Sequence, residues 1–330
     1  MKTRLGRTFA ITLGGLALLL CGSGVGAGEP LGSTLEDGSQ VHFDGAYYDF
    51  RAADGRKMIK LWVTPGPEPV RGMFIIGHGG GSGDSRSFPR DRNFQAYAAR
   101  HRFAFVGLHY FPGRRVYDDG AAVFVKALDA FAALGPHPEI AHLPFVVFGG
   151  SNGGATSYGL ACGLPERAIA FTPNAAAWWN PETPSDAAIE VPGLFVVGLF
   201  DPFMRGVGVE ATRQLVADAR KRGARWSFVA EEKGHEDGAT WQLFTRFWDR
   251  VIDLRLPPGA DPRQGPVALR TIPEEEGWLA DTESWDDGLT RVAPFAEYEG
   301  DRAAASWLPD ADTAFLYLSL IHISEPTRPS

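Results

Sequence analysis

A serine set among glycines, an aspartate and a loop histidine occur in that order along the 330-residue chain, and together they could perform acyl transfer. Ser151 follows the apolar run Phe145–Phe148 within Gly149-x-Ser151-x-Gly153, and a helical pattern starts immediately after it. A nucleophile elbow needs that context: the sharp turn lifts the hydroxyl off the strand end, and the glycines leave room for a strained backbone. The five-residue pattern alone is weak in a chain with 40 glycines, where an inert serine in a glycine-rich turn is the competing reading. A serine nucleophile also needs a base to take its proton, and the base needs a carboxylate to hold its tautomer. Asp201 follows the apolar run Leu194–Leu199, and His235 follows Trp226–Val229. Taken singly, Asp201 reads equally well as a cap before a helix and His235 as a surface residue. Their coincidence with the elbow assigns them as acid and base. Glu182, Asp186 and Asp237 are weaker candidates for the acid.

The oxygen of a tetrahedral intermediate needs preorganised backbone donors. Met73–Ile76 runs into Gly77-His78-Gly79-Gly80-Gly81, a loop that substrate can approach closely. Gly80 and Asn152 are the expected donors of this oxyanion hole, with His78 structural. No Lys-Ser/Thr pair follows the glycines, which excludes a P-loop, and their spacing does not fit a dinucleotide fingerprint. Phe111, Trp178, Trp179, Phe200 and Phe203 all follow apolar runs, so they are candidates for an aromatic substrate pocket. Packing of loops onto the domain explains each of them equally well.

Positioning these residues requires an α/β architecture. Apolar runs at Met58–Val63, Met73–Ile76, Phe103–Leu108, Phe145–Phe148, Ala168–Phe171, Leu194–Leu199 and Trp226–Val229 read as strands, mostly buried on both faces. Helical patterns at Asn93–Arg100, Ala121–Ala133, Gly154–Ala161, Val209–Arg222 and Trp241–Leu254 lie between them. This alternation predicts a mostly parallel central sheet flanked by helices. Val41–Arg51 reads as an antiparallel edge strand.

Composition narrows the class further. The chain is 44% hydrophobic and 22% charged, with a net charge of −8, and it shows no basic face for nucleic acid. Two cysteines make neither a disulfide scaffold nor a cysteine zinc site. No metal and no cofactor is called for. Lys2, Arg4 and Arg7, the 12-residue apolar run Phe9–Leu20 and the small residues up to Ala27 have the layout of a secretory signal peptide over 1–27. The run is short of the roughly 20 apolar residues that span a bilayer, so no stable membrane anchor is expected after cleavage. Leu20 ahead of Cys21 argues against lipidation, which leaves a periplasmic or secreted protein. Cys162, in an apolar helical pattern, reads as a buried small hydrophobe.

The catalytic domain is expected to occupy 28–256. Residues 257–317 form an acidic C-terminal extension, with 13 acidic and four basic side chains between 261 and 317. It is rich in Trp, Leu and Phe, and reads as a truncated accessory module or packing extension. Residues 318–330 read like the translation of a sequencing adapter.

Residues 41–255 resemble the α/β-hydrolase superfamily, nearest its dienelactone-hydrolase-like and secreted feruloyl- or polyester-esterase-like branches. The His78–Gly81 loop, the Gly149–Gly154 elbow, Leu199–Phe203 and Lys233–Glu236 carry the resemblance. It implies the α/β-hydrolase fold, in which Ser, Asp and His follow one another in that chain order. Dienelactone hydrolases use a cysteine nucleophile; Ser151 departs from them and points to a carboxylesterase acting on a small-molecule or polymeric ester. A peptidase or amidase on the same triad, or a non-catalytic exported binding protein of the same fold, are the alternatives.

Overall fold

Uninterrupted apolar strands need cover on both faces, and their alternating side chains feed two separate cores. The computed structural model describes residues 30–77, 79–80, 83–109, 121–203, 207–235, 241–282 and 291–322. The expected signal peptide over 1–27 with Cys21, and His78, Phe111, Asp237 and residues 323–330, lie outside the described residues.

The chain enters through three antiparallel strands, β1 (Leu31–Thr34), β2 (Gln40–Phe43) and β3 (Tyr47–Arg51), followed by β4 (Met58–Trp62). The sheet continues with β5 (Gly72–Gly77), β6 (Phe103–His109), β7 (Phe145–Gly150), β8 (Ala168–Asn174), β9 (Gly193–Gly198) and β10 (Trp226–Glu231). The ten strands are ordered β1-β2-β3-β4-β6-β5-β7-β8-β9-β10. Pairing is antiparallel as far as the β4–β6 pair and parallel from β6 to β10.

Phe74, Ile76, Val146, Phe148, Leu194 and Val196 pack with α1 (Arg92–His101) and α6 (Trp241–Arg255) on one face. Ile75, Val147, Phe171, Phe195 and Val197 pack with α2 (Ala121–Leu134), α3 (Asn152–Gly163) and α5 (Val207–Arg220) on the other. A short helix, α4 (Asp186–Ile189), lies between β8 and β9. Cys162 is buried and unpaired, and burial pushes its thiol up to about 12, so it serves as a core side chain.

The expected single strand over Val41–Arg51 is instead a hairpin. Gly45 adopts φ 95°, and Asp44 Oδ1 accepts the N–H groups of Ala46 at 3.0 Å and Tyr47 at 2.7 Å. This turn folds β3 back on β2, with Phe43 opposite Tyr48. The edge position falls to β1, whose four residues are all exposed.

The acidic extension packs against the ten-stranded sheet. Its strands β11 (Trp278–Ala280), β12 (Val292–Pro294) and β13 (Ser306–Leu308) form a small antiparallel sheet, and α7 (Ala311–His322) follows. Leu318–His322, expected to be foreign sequence, continues α7. Leu279, Trp307, Leu308 and Tyr317 join the core that holds α6. At the outer edge of β10, Ser306 Oγ accepts the Phe228 N–H at 2.8 Å, and the Tyr317 hydroxyl donates to the Phe228 carbonyl at 2.9 Å. A strand edge that would otherwise be open is thereby covered.

Arg220, 1% exposed on α5, rivets the two parts together. It donates to the carbonyl of Ala305 at 2.6 Å, to that of Arg302 at 2.9 Å, and to Glu274 Oε1 at 2.6 Å. Replacing Arg220 by Met leaves these acceptors without their donor and should cost about 3 kcal/mol. Thermal unfolding should show a midpoint about 6–12 °C lower. An unchanged midpoint would show that the extension does not depend on this contact.

Candidate active site

β7 ends in a turn that ordinary backbone avoids. Ser151 sits at φ 53°, ψ −123°, a conformation that costs a non-glycine residue about 1–3 kcal/mol. Its N–H donates to the Asn174 carbonyl at 2.8 Å, and its own carbonyl accepts the Gly154 N–H at 2.9 Å. A Cβ on Gly149 would lie 1.9 Å from the Gly153 carbonyl oxygen, so the turn closes only over glycine. Ser151 is the N-cap residue of α3, yet its hydroxyl makes no capping bond to the helix.

The loop after β5 presses against this turn. A Cβ on Gly79 would come within 2.6 Å of Ser151 Cβ. Gly80 follows at φ 82° beside open space, since a Cβ there would meet nothing within 4 Å. Asn152, the other expected donor, is exposed and begins α3. A first-turn N–H has no carbonyl within its helix to bond, and the helix dipole favours negative charge there.

Asp201 and His235 meet. Asp201 is fully buried; its Oδ1 accepts the Phe203 N–H at 2.8 Å, and its Oδ2 lies 2.6 Å from His235 Nδ1. The two loops that carry them are zipped together by Leu199 N–H to the Glu231 carbonyl at 2.8 Å and Phe200 N–H to the Lys233 carbonyl at 3.0 Å. With Nδ1 committed to the carboxylate, Nε2 is the nitrogen left to act on a substrate. The described contacts include no hydrogen bond between Ser151 Oγ and His235. In unliganded hydrolases that bond is often long and tightens only with substrate. Asp186 is excluded as the acid: it begins α4, is 96% exposed and pairs with Arg222 at 2.6 Å.

The aromatic candidates separate into two groups. Phe203 is 71% exposed, and its ring stands edge-on to the His235 ring at 4.9 Å. Phe200 and Trp178 are also exposed, on the segments after β9 and β8. Trp179 is half-buried instead: its ring lies 5.3 Å from both Tyr158 and Phe195 and packs against the core. Two contributors escaped sequence reasoning. Gly79 lies in the glycine loop, where the sequence points to Gly80 instead, and Asn174 gives no signal because its role is played by a backbone carbonyl.

The architecture is the α/β-hydrolase fold: a largely parallel sheet with helices on both faces and a serine turn at the C-terminal end of a central strand. No protein-family model matches the chain, and no curated protein matches it. Among solved structures it is similar to an S-formylglutathione hydrolase from Staphylococcus aureus, at 13% identity and a TM-score of 0.43, covering 68% of this chain and 97% of that one. It is also similar to an α/β-hydrolase enzyme from a Medee basin deep-sea metagenome library, at 18% identity and a TM-score of 0.43, covering 60% and 93%. An acetyl xylan esterase from Aspergillus awamori is similar at 12% identity and a TM-score of 0.41, covering 58% and 94%.

The loop geometry separates two neighbouring glycines. Gly79→Ala should displace Ser151 and slow its labelling by a fluorophosphonate by about 100-fold, the scale of an ångström of misplacement. Gly80→Ala meets no atom and should cost only the roughly 1–2 kcal/mol of a left-handed alanine. Equal labelling rates in the two variants would contradict the close approach at Gly79.

Proposed function

We propose that the protein is an exported serine ester hydrolase working through Ser151, His235 and Asp201. The observation that carries this reading is the 2.6 Å contact between a fully buried carboxylate and a histidine on adjoining loops, at the sheet end that also bears the Ser151 turn. Ser151 Oγ attacks the ester carbonyl carbon while His235 Nε2 takes the hydroxyl proton. The negative charge moves to the carbonyl oxygen, where the Gly80 and Asn152 N–H groups receive it. As the intermediate collapses the ester C–O bond breaks, and His235 returns the proton to the leaving alcohol. Water, deprotonated by the same nitrogen, then attacks the acyl-serine and releases the acid and the free hydroxyl. Asp201 holds the imidazole orientation and balances its transient charge. No cofactor takes part in these steps. The open space at Gly80 and the exposed rings of Phe203, Phe200 and Trp178 suit a small-molecule or polymeric ester.

Ser151→Ala and His235→Ala should each lower kcat for p-nitrophenyl acetate by at least about 10⁴-fold, and Asp201→Asn by about 10⁴-fold. Intact-mass analysis after fluorophosphonate treatment should show one adduct at Ser151. Its absence from folded protein removes both the esterase reading and a peptidase on the same residues. Export is supported by the layout of residues 1–27. In a Gram-negative host the extracytoplasmic protein should begin at Gly28, and a cytoplasmic product beginning at Met1 would refute export.

A further inference from the structure

Beneath the loops of Asp201 and His235 lies an ion pair that the chemistry above leaves unused. Lys233 Nζ stands 2.7 Å from Glu231 Oε2, with both side chains 8% exposed. The same Nζ lies 3.4 Å from Asn174 Oδ1, and Asn174 is fully buried. Asn174 closes β8 and Glu231 closes β10, whereas β9 runs between those two strands. Lys233 therefore reaches across the end of β9, the strand from which the Asp201 loop departs.

The backbone of these same residues holds the reactive groups. The Asn174 carbonyl accepts the Ser151 N–H at 2.8 Å. The Lys233 carbonyl accepts the N–H of Phe200, the residue before Asp201, and the Glu231 carbonyl accepts that of Leu199. His235 follows Lys233 by two residues. One lysine thus connects the turn of the hydroxyl, the loop of the carboxylate and the loop of the imidazole.

Stability explains this pair poorly. Burying two charges costs their hydration, and well-packed apolar residues of similar volume often do as well or better. What a charge pair adds is direction, because its bonds form only when the strand ends keep their relative positions. We infer that Lys233, held by Glu231, is a positioning residue: through Asn174 it sets the spacing between the Ser151 turn and the His235 loop. This rests on the proposed roles of Ser151 and His235.

Two variants of the full chain test it. Glu231→Leu with Lys233→Met replaces the pair by apolar side chains, so that neither charge is left buried alone. Asn174→Leu keeps the pair and the backbone bond to Ser151 but removes the amide that Lys233 meets. Each variant should unfold within about 5 °C of the parent. Each should keep KM for p-nitrophenyl acetate within about twofold while kcat falls roughly 10- to 100-fold. Fluorophosphonate labelling of Ser151 should slow by the same factor. Parental kcat in either folded variant, or a rise in KM with kcat unchanged, overturns the positioning role. If the double variant does not fold, Asn174→Leu decides alone. A parent chain that takes no label at Ser151 overturns the triad, and the inference with it; a parent that labels beside variants that label equally fast overturns the inference alone.

Discussion

A carboxylate with no access to water has to be answered by donors, and the buried Asp201 is the constraint around which the reactive end of this sheet is arranged. One oxygen takes a backbone N–H from its own loop, and the other takes the imidazole of the neighbouring loop. Both loops must therefore leave adjacent strands at the same end, which parallel pairing of β9 and β10 provides. Parallel strands in turn need helices on both faces, and those helices supply the two cores. The orientation of one imidazole is thus tied to the sheet as a whole.

Much of this was legible in the chain, for a local reason. Strands buried on both faces show as uninterrupted apolar runs, and β5 to β10 each fall on one of the predicted runs, with ends that differ by three residues at most. The Ser151 turn was readable because its steric demand can be met only by glycines written beside it. The hairpin at Asp44-Gly45 is also written locally, as a turn dipeptide between two alternating stretches, although the longer run reads as one strand. Trp179 could not be placed, since adjacent Trp178 and Trp179 look alike in sequence and differ only in which side of the loop faces the core. Asn174 and Lys233 meet across 59 residues and a strand that lies between them, a relation that no sequence pattern encodes.

Charge is divided unevenly between the two parts of the chain, and the structure shows where the imbalance is met. The acidic extension lies against arginines of α5 and α6: Arg246 with Asp312 at 3.0 Å, Arg250 with Asp310 at 3.5 Å, and the buried Arg220 with Glu274. The first two are half-exposed pairs that add little, while Arg220 satisfies backbone carbonyls that water cannot reach. Three acidic residues of the tail, Glu274, Asp310 and Asp312, thus face arginines of the preceding domain.

The cover over β10 also has a consequence in time. The bonds that close the edge at Phe228 join residues separated by 78 and 89 positions along the chain. Loop closure over such lengths adds little to the equilibrium cost, since each doubling is worth only about 0.6 kcal/mol. The burden falls on the order of folding. A chain can complete its sheet as far as β10 before Ser306 and Tyr317 close on it, and for that interval the last strand is a bare template for any other strand nearby. The speed with which the extension docks therefore sets how long this protein is exposed to pairing with its neighbours.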